Sequence, residues 1–218
     1  MRRGIDFCCH ACDLRLARLP SPVCARCHRY LIRGEFVCSC EDGAPPPSRI
    51  AALGLFDSAW RALVHSYKYS GGRSLARPLA GELSRRLHSL PKVDAIVAVP
   101  TALHRRRERG FGHAELLAEH LAGWSGLPFL PDAIGFTRRV ADQTRLSGEE
   151  RKANLDGAFK SLDPDAVQDK SILIVDDVMT TGTTMTEAGR SLLAAGAATV
   201  HGAIVALNLG QIPDGPRG

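Results

Sequence analysis

Nowhere in its 218 residues does the chain approach the ~18 uninterrupted apolar residues that a membrane helix requires, so no membrane insertion is expected. Its start, Met1-Arg2-Arg3-Gly4-Ile5-Asp6, carries charge but no apolar h-region behind it. The sequence thus shows no secretory signal, and a cytoplasmic location is expected. No G-x-x-x-x-G-K-[ST] loop is present, and no G-x-G-x-x-G follows an apolar run. That removes support for a nucleoside-triphosphate loop and for a dinucleotide fold. Cysteine itself is missing after Cys40: all seven (Cys8, Cys9, Cys12, Cys24, Cys27, Cys38, Cys40) fall in the first 40 residues. In a reducing compartment, thiols packed that densely are metal ligands more often than disulfides.

What is present divides the chain in two. An apolar content of 44% is ordinary for a globular protein, and the length suffices to bury a full core. The net charge of +5 is concentrated at the front, where seven Arg (Arg2, Arg3, Arg15, Arg18, Arg26, Arg29, Arg33) face only Asp6, Asp13 and Glu35. A basic module on a nearly neutral body suits phosphate backbones, although a solvated face has the same composition. Pro45-Pro46-Pro47 cannot join a helix or a central strand and reads as a stiff spacer. The division is therefore a Cys-rich module at 1–43, a Pro-rich linker at 44–48 and a main domain at 49–210. Within the first, Cys9-x2-Cys12, Cys24-x2-Cys27 and Cys38-x-Cys40 form three pairs. Two pairs supply the four thiolates of a tetrahedral Zn²⁺ site, and so small a module needs a structural metal to fold, so a zinc ribbon is expected.

From residue 49 the pattern is α/β. Apolar runs at 50–56, 95–99, 171–175 and 199–207 read as buried strands, with a weaker one at 134–137. Helical spacing recurs at 58–69 (Trp60, Leu63, Val64, Tyr67), 75–87, 114–124 and 183–195. Strands alternating with helices imply a mostly parallel sheet with helices on both faces. Residues 138–154 are too polar for core and long for a connection.

The most informative string is Asp176-Asp177-Val178-Met179-Thr180-Thr181-Gly182-Thr183-Thr184, which follows the run 172–175. In open α/β sheets, ligands sit beyond the carboxyl ends of strands. Backbone N–H groups at a helix start favour an anion, the Thr hydroxyls add donors, and Gly182 permits close approach. A helix cap with solvated carboxylates is the plainer alternative. Residues 100–110 also follow a strand and place four Arg within five positions, Arg105 to Arg109. Arg forks match pyrophosphate oxygens, while a basic surface loop against DNA or water would look alike.

This string strongly resembles the 5-phosphoribosyl 1-pyrophosphate (PRPP) binding motif of type I phosphoribosyltransferases. The resemblance implies that fold, a mostly parallel sheet flanked by helices with a flexible hood. It implies that Asp176 and Asp177 hold the ribose 2- and 3-hydroxyls, that Val178 to Thr184 wrap the 5-phosphate, and that Mg²⁺ arrives with PRPP. Further blocks are Tyr67-Lys68-Tyr69 with Gly71-Gly72-Arg73, and Val97-Ala98-Val99-Pro100 ahead of the Arg cluster. Others are Thr144-Arg145-Leu146, Glu150-Arg151-Lys152-Ala153-Asn154 and Ala158-Phe159. Together with the cysteine module they resemble the ComF family, associated with natural transformation and DNA uptake, over roughly residues 9–207.

That resemblance implies a pyrophosphate loop carrying Arg105, Arg106 and Arg109, and a hood at 138–154 with Gln143, Arg151 and Asn154 as contacts. Asp142-Gln143 stands where the family has Pro-Gln. Lys68 and Arg73, at a helix end, read either as further phosphate contacts or as exposed structural residues. For zinc it implies Cys24, Cys27, Cys38 and Cys40 as one ribbon, with Cys9 and Cys12 as the latter half of another. The first knuckle of that other ribbon is missing, through loss or through a start upstream of Met1. The expected activity is phosphoribosyl transfer, a glycosyltransferase reaction through an oxocarbenium-like transition state that needs no side-chain nucleophile; the acceptor is unassigned. The rival is a non-catalytic accessory protein that binds PRPP, single-stranded DNA and competence-machinery proteins during transformation. A zinc-ribbon regulator of purine genes is disfavoured because no helix-turn-helix accompanies the sheet.

Overall fold

Four runs of apolar residues long enough to be buried on both faces make the centre of the molecule. The computed structural model describes residues 46–69, 72–138 and 154–208, with shorter pieces at 9, 15–16, 19, 23–24, 31–32 and 35–36. In chain order these hold β1 (Val23–Cys24), β2 (Leu31–Ile32), β3 (Glu35–Phe36), β4 (Arg49–Leu55), α1 (Ser58–Tyr69) and α2 (Ala76–Ser84). Next come β5 (Ala95–Ala98), α3 (Leu103–Arg109), α4 (His113–Ser125), β6 (Ile134–Phe136) and β7 (Phe159–Ser161). The series closes with α5 (Pro164–Val167), β8 (Ser171–Met179), α6 (Thr183–Ala194) and β9 (Thr199–Leu207).

The main sheet has the order β1-β4-β9-β8-β5. Strands β4, β9, β8 and β5 run parallel, and β1 lies antiparallel on the outer edge of β4. Helix α2 packs on α4, which lies over β5 and β8, while α6 lies on β8 and β9. Apolar strand residues such as Ile96, Ile172, Leu173, Ile174 and Val205 are fully buried, as a parallel sheet covered by helices requires.

Local chemistry sets the helix limits. The Asp57 carboxylate accepts from the N–H groups of Ala59 and Trp60, both at 3.1 Å, and so caps α1. Trp60, Val64 and Tyr67 then recur on the buried face. The Trp60 indole lies against Gly54, where an added Cβ would come within 1.9 Å of Nε1. Only glycine fits there.

The structure departs from the sequence expectations in three places. The strand expected to end at residue 175 runs on to Met179, because β9 is equally long and pairs with it as far as Met179↔Leu207. Asp176 and Asp177 are therefore strand residues, and the loop shrinks to 180–182 ahead of α6. The Arg-rich segment expected as a loop winds into α3, since Leu, Arg and Glu are good helix formers and Gly110, at φ 80°, stops it. The single helix expected at 75–87 is a 3₁₀ turn (Gly72–Leu75), α2 and another 3₁₀ turn (Leu87–Ser89).

The described residues Leu16, Leu19 and β1 of the N-terminal segment pack on this body. Leu16 and Leu19 are buried in the main core. The Leu19 N–H donates to the Leu53 carbonyl at 3.0 Å, and Arg86 donates to the Leu19 carbonyl at 2.6 Å. Pro47 is buried, and the Ser48 N–H donates to the Val200 carbonyl at 3.1 Å.

Candidate active site

The carboxyl end of β8 carries the chemistry. Successive strand residues face opposite sides, so the two acids diverge. Asp176 lines a hollow of about 20 Å³ together with residues 178–185. Its Oδ1 accepts from the Asp177 N–H at 2.8 Å. Asp177 turns toward α1, where its Oδ2 lies 2.8 Å from Lys68 Nζ; the two side chains are only 9% and 22% exposed. Burial first, and then the neighbouring Asp177, raises the Asp176 pKa above the ordinary carboxylate range, while Lys68 and the Asp177 N–H oppose the rise.

Above Asp176 the chain turns sharply into α6. Gly182 takes φ 77°, a left-handed conformation that costs a side-chain residue about 1–2 kcal/mol. The Thr181 and Thr183 hydroxyls lie 2.9 Å apart, and the Thr183 N–H points to Thr181 Oγ1 at 3.5 Å. The Thr186 N–H closes the first helical turn on the Gly182 carbonyl at 2.8 Å. Val178 and Met179 sit in the strand, and Thr183 and Thr184 begin the helix. A twelve-residue helix starting over a polar hollow has the partial positive charge and N–H groups that favour a phosphoryl group.

The second wall comes from β5 and α3. The Val99 N–H donates to the Val175 carbonyl at 2.9 Å, which sets Pro100 and Thr101 beside the β8 end. Thr101 is clamped by Glu115 of α4: its N–H and hydroxyl donate to the two carboxylate oxygens at 3.0 and 2.7 Å. Arg105 is half-buried, Arg106 is exposed, and Arg109 is the last residue of α3. Arg106 and Arg73 line a cleft of about 760 Å³ with Phe111, Phe129 and Phe136 among its walls.

A ring cluster joins α1 to the end of α3. The buried Tyr67 hydroxyl donates to the His113 carbonyl at 2.6 Å, and burial pushes its pKa up, with Asp177 and Glu115 adding to the shift. Tyr67 and His113 meet edge to face at 5.5 Å, Phe111 stacks obliquely on His113 at 4.9 Å, and the Arg73 guanidinium lies 5.8 Å from the Phe111 ring.

The structure thus gathers Asp176, residues 178–184, Asp177 and Lys68 at one sheet end. Asn154 lies at the base of the expected hood, where its carbonyl accepts from Arg138 at 3.2 Å. Gln143, Arg151, Cys8, Cys12, Cys27, Cys38 and Cys40 lie outside the described residues. Cys9 is exposed, and Cys24 belongs to β1. Sequence reasoning missed Thr101, Glu115 and His113 as site-supporting residues, and it named Tyr67 for its helical spacing and its place in the Tyr67-Lys68-Tyr69 block without a role at the site. An acid one turn into an amphipathic helix gives no local signal of what it will clamp.

Comparison with known proteins adds two findings. Residues 72–214 match the model of the phosphoribosyl transferase domain family. The chain is 34% identical over 200 residues to DNA utilization protein YhgH of Escherichia coli O6:H1, covering 88% of this chain and 87% of that protein. It is 28% identical to Competence protein F of Haemophilus influenzae, with 84% and 83% covered. Against Competence protein ComFC of Streptococcus pneumoniae it is 27% identical, with 91% and 87% covered.

Proposed function

Because the chain belongs to the ComF-like branch of the phosphoribosyl transferase domain family, with that family's mostly parallel sheet flanked by helices, we propose that it binds PRPP with Mg²⁺ and transfers the phosphoribosyl group to an acceptor. The observation that carries this reading is the hollow between Asp176 and residues 178–185, open at the N-terminus of α6. Names given to relatives, for DNA utilization and competence, support a role tied to DNA uptake.

In this reading the N–H groups and Thr hydroxyls of residues 180–184 hold the 5-phosphate. Asp176 and Asp177 orient the ribose through its hydroxyls and stabilise positive charge as it develops on the ring. Arg105, Arg106 and Arg109 hold the pyrophosphate before and after the C1–oxygen bond breaks. Carboxylate and hydroxyl oxygens are the hard donors that Mg²⁺ accepts, so these residues fit a Mg²⁺–pyrophosphate group, in which the ion would neutralise the leaving charge. Gln143, Arg151 and Asn154 would exclude water from the loaded site. A structural Zn²⁺ on Cys24, Cys27, Cys38 and Cys40, with Cys9 and Cys12 as further ligands, would hold the N-terminal module; the C-x2-C spacing supports it. The test is calorimetry with Mg²⁺ and PRPP, followed by pyrophosphate release across candidate acceptors. No heat of binding would overturn the reading.

One observation favours a second reading, a non-catalytic partner of single-stranded DNA. The 760 Å³ cleft sets Phe111, Phe129 and Phe136 beside Arg73 and Arg106, rings and cations of the kind that bind unstacked bases and phosphates, although Glu115, Glu119 and Asp132 line it too. PRPP binding without turnover, joined by DNA binding that Phe129→Ala and Phe136→Ala weaken, would decide for it.

A further inference from the structure

We propose that Glu115 is a positioning residue for the pyrophosphate end of the site: its carboxylate fixes Thr101, and through Thr101 the start of the arginine helix α3. The inference deepens the PRPP reading and rests on it for its ligand arm.

Helix α3 has little of its own to hold it in place. It is seven residues long, four of them Arg, and Ala102 ahead of it supplies no side-chain cap. Helices that short are marginal in water, and Arg105 and Arg109, four residues apart, form a like-charge pair that weakens this one further. Its first turn closes through the Arg106 N–H on the Ala102 carbonyl at 3.0 Å, directly after Thr101. Whatever fixes Thr101 fixes where α3 begins, and with it the three candidate arginines.

The fixture comes from α4. Glu115 is the third residue of that helix, where an acid ordinarily turns back on its own helix start. Here both of its oxygens cross to Thr101, one accepting from the N–H at 3.0 Å and the other from the hydroxyl at 2.7 Å. Bonds to an ionised acceptor are roughly twice as strong as neutral ones. Gly112 makes the room, since a Cβ there would collide with the Glu115 carboxylate. At φ −88° its backbone places no demand for glycine; the neighbouring acid does.

Charge and clamp act in opposite directions, which makes the idea testable. Glu115 lines the 760 Å³ cleft together with Arg73 and Arg106. An acid beside an anion site repels the anion, so its removal would tighten pyrophosphate through charge alone. Loss of the clamp would weaken pyrophosphate instead.

The experiment uses the full chain with Glu115→Ala, Thr101→Val and Gly112→Ala, the last of which keeps the acid but denies it its place. In the ligand-free protein, hydrogen exchange of the Thr101 amide is followed by NMR. Glu115→Ala and Gly112→Ala should each speed it about tenfold, and unchanged exchange overturns the proposal. Calorimetry then compares inorganic pyrophosphate, with and without Mg²⁺, against ribose 5-phosphate. Glu115→Ala should weaken pyrophosphate about tenfold and leave ribose 5-phosphate within about twofold. Thr101→Val, which removes only the hydroxyl, should cost about threefold by itself and nothing further beside Glu115→Ala. Tighter pyrophosphate, additive losses, or equal losses for both ligands would each overturn the proposal. So would a loss confined to Mg²⁺, which would make Glu115 an ion ligand. A wild-type chain that binds neither ligand refutes the functional reading and the ligand arm with it, and exchange at Thr101 separates that failure from failure of the clamp. Should Glu115→Ala fail to fold, Glu115→Gln carries both measurements.

Discussion

Asp176 and Asp177 are chemically identical neighbours placed in different surroundings by the pleat of one strand. Asp177 is buried and has the Lys68 ammonium; Asp176 is half-buried, and desolvation and a like charge act on it. A carboxyl whose folded pKa is raised destabilises the fold once the pH exceeds its unfolded value, because ionisation is resisted only in the native state. Asp176→Asn, which keeps an oxygen for the Asp177 N–H, should therefore stabilise the protein by about 1 kcal/mol at pH 7, raising Tm by about 2–4 °C. That gain should vanish below about pH 4, where Asp176 is protonated in both states. Melting curves at the two pH values check it, and a gain that persists in acid would contradict the burial argument. The double variant Asp176→Asn with Asp177→Asn should fold yet lose PRPP binding; an unaltered dissociation constant would refute the site.

The loop–helix unit of residues 180–194 works through its backbone, and Gly182 is the position on which it turns. A side chain at φ 77° is strained there whatever the space around it. Gly182→Val should cost about 1–2 kcal/mol in stability and weaken PRPP and ribose 5-phosphate alike, since both carry the 5-phosphate. Loss of PRPP alone would point away from the helix start as the phosphate site. Helix α1, β9 and α6 were legible almost to the residue, because apolar periodicity is a local property. The reach of β8 past Val175 was not, because a polar pair inside a strand looks like its end until the partner strand is known.

At the scale of the whole molecule, the described residues Leu16, Leu19 and β1 of the cysteine-rich front lie against the body at β4. Deleting residues 1–43 would uncover β4 there and confound any test of DNA binding. Charge removal within it is the cleaner change. Arg26→Gln with Arg29→Gln and Arg33→Gln should weaken single-stranded DNA binding and flatten its salt dependence, by about 0.7 in log–log slope for each phosphate that is no longer neutralised. An unchanged slope would remove the module from the DNA interface. Cys24→Ser with Cys27→Ser should lower both the zinc content by metal analysis and the melting temperature; full zinc retention would exclude this pair as ligands.

Composition and order of residues sufficed for the α/β alternation, the PRPP motif and the crowding of thiols into the first 40 positions, since each is written in neighbouring residues. Folding alone decided which acid receives a cation, that Glu115 holds Thr101, and that Tyr67 braces His113. Those contacts join segments far apart in the chain, and their strength comes from burial, which no single segment possesses before the sheet and its helices have closed on one another.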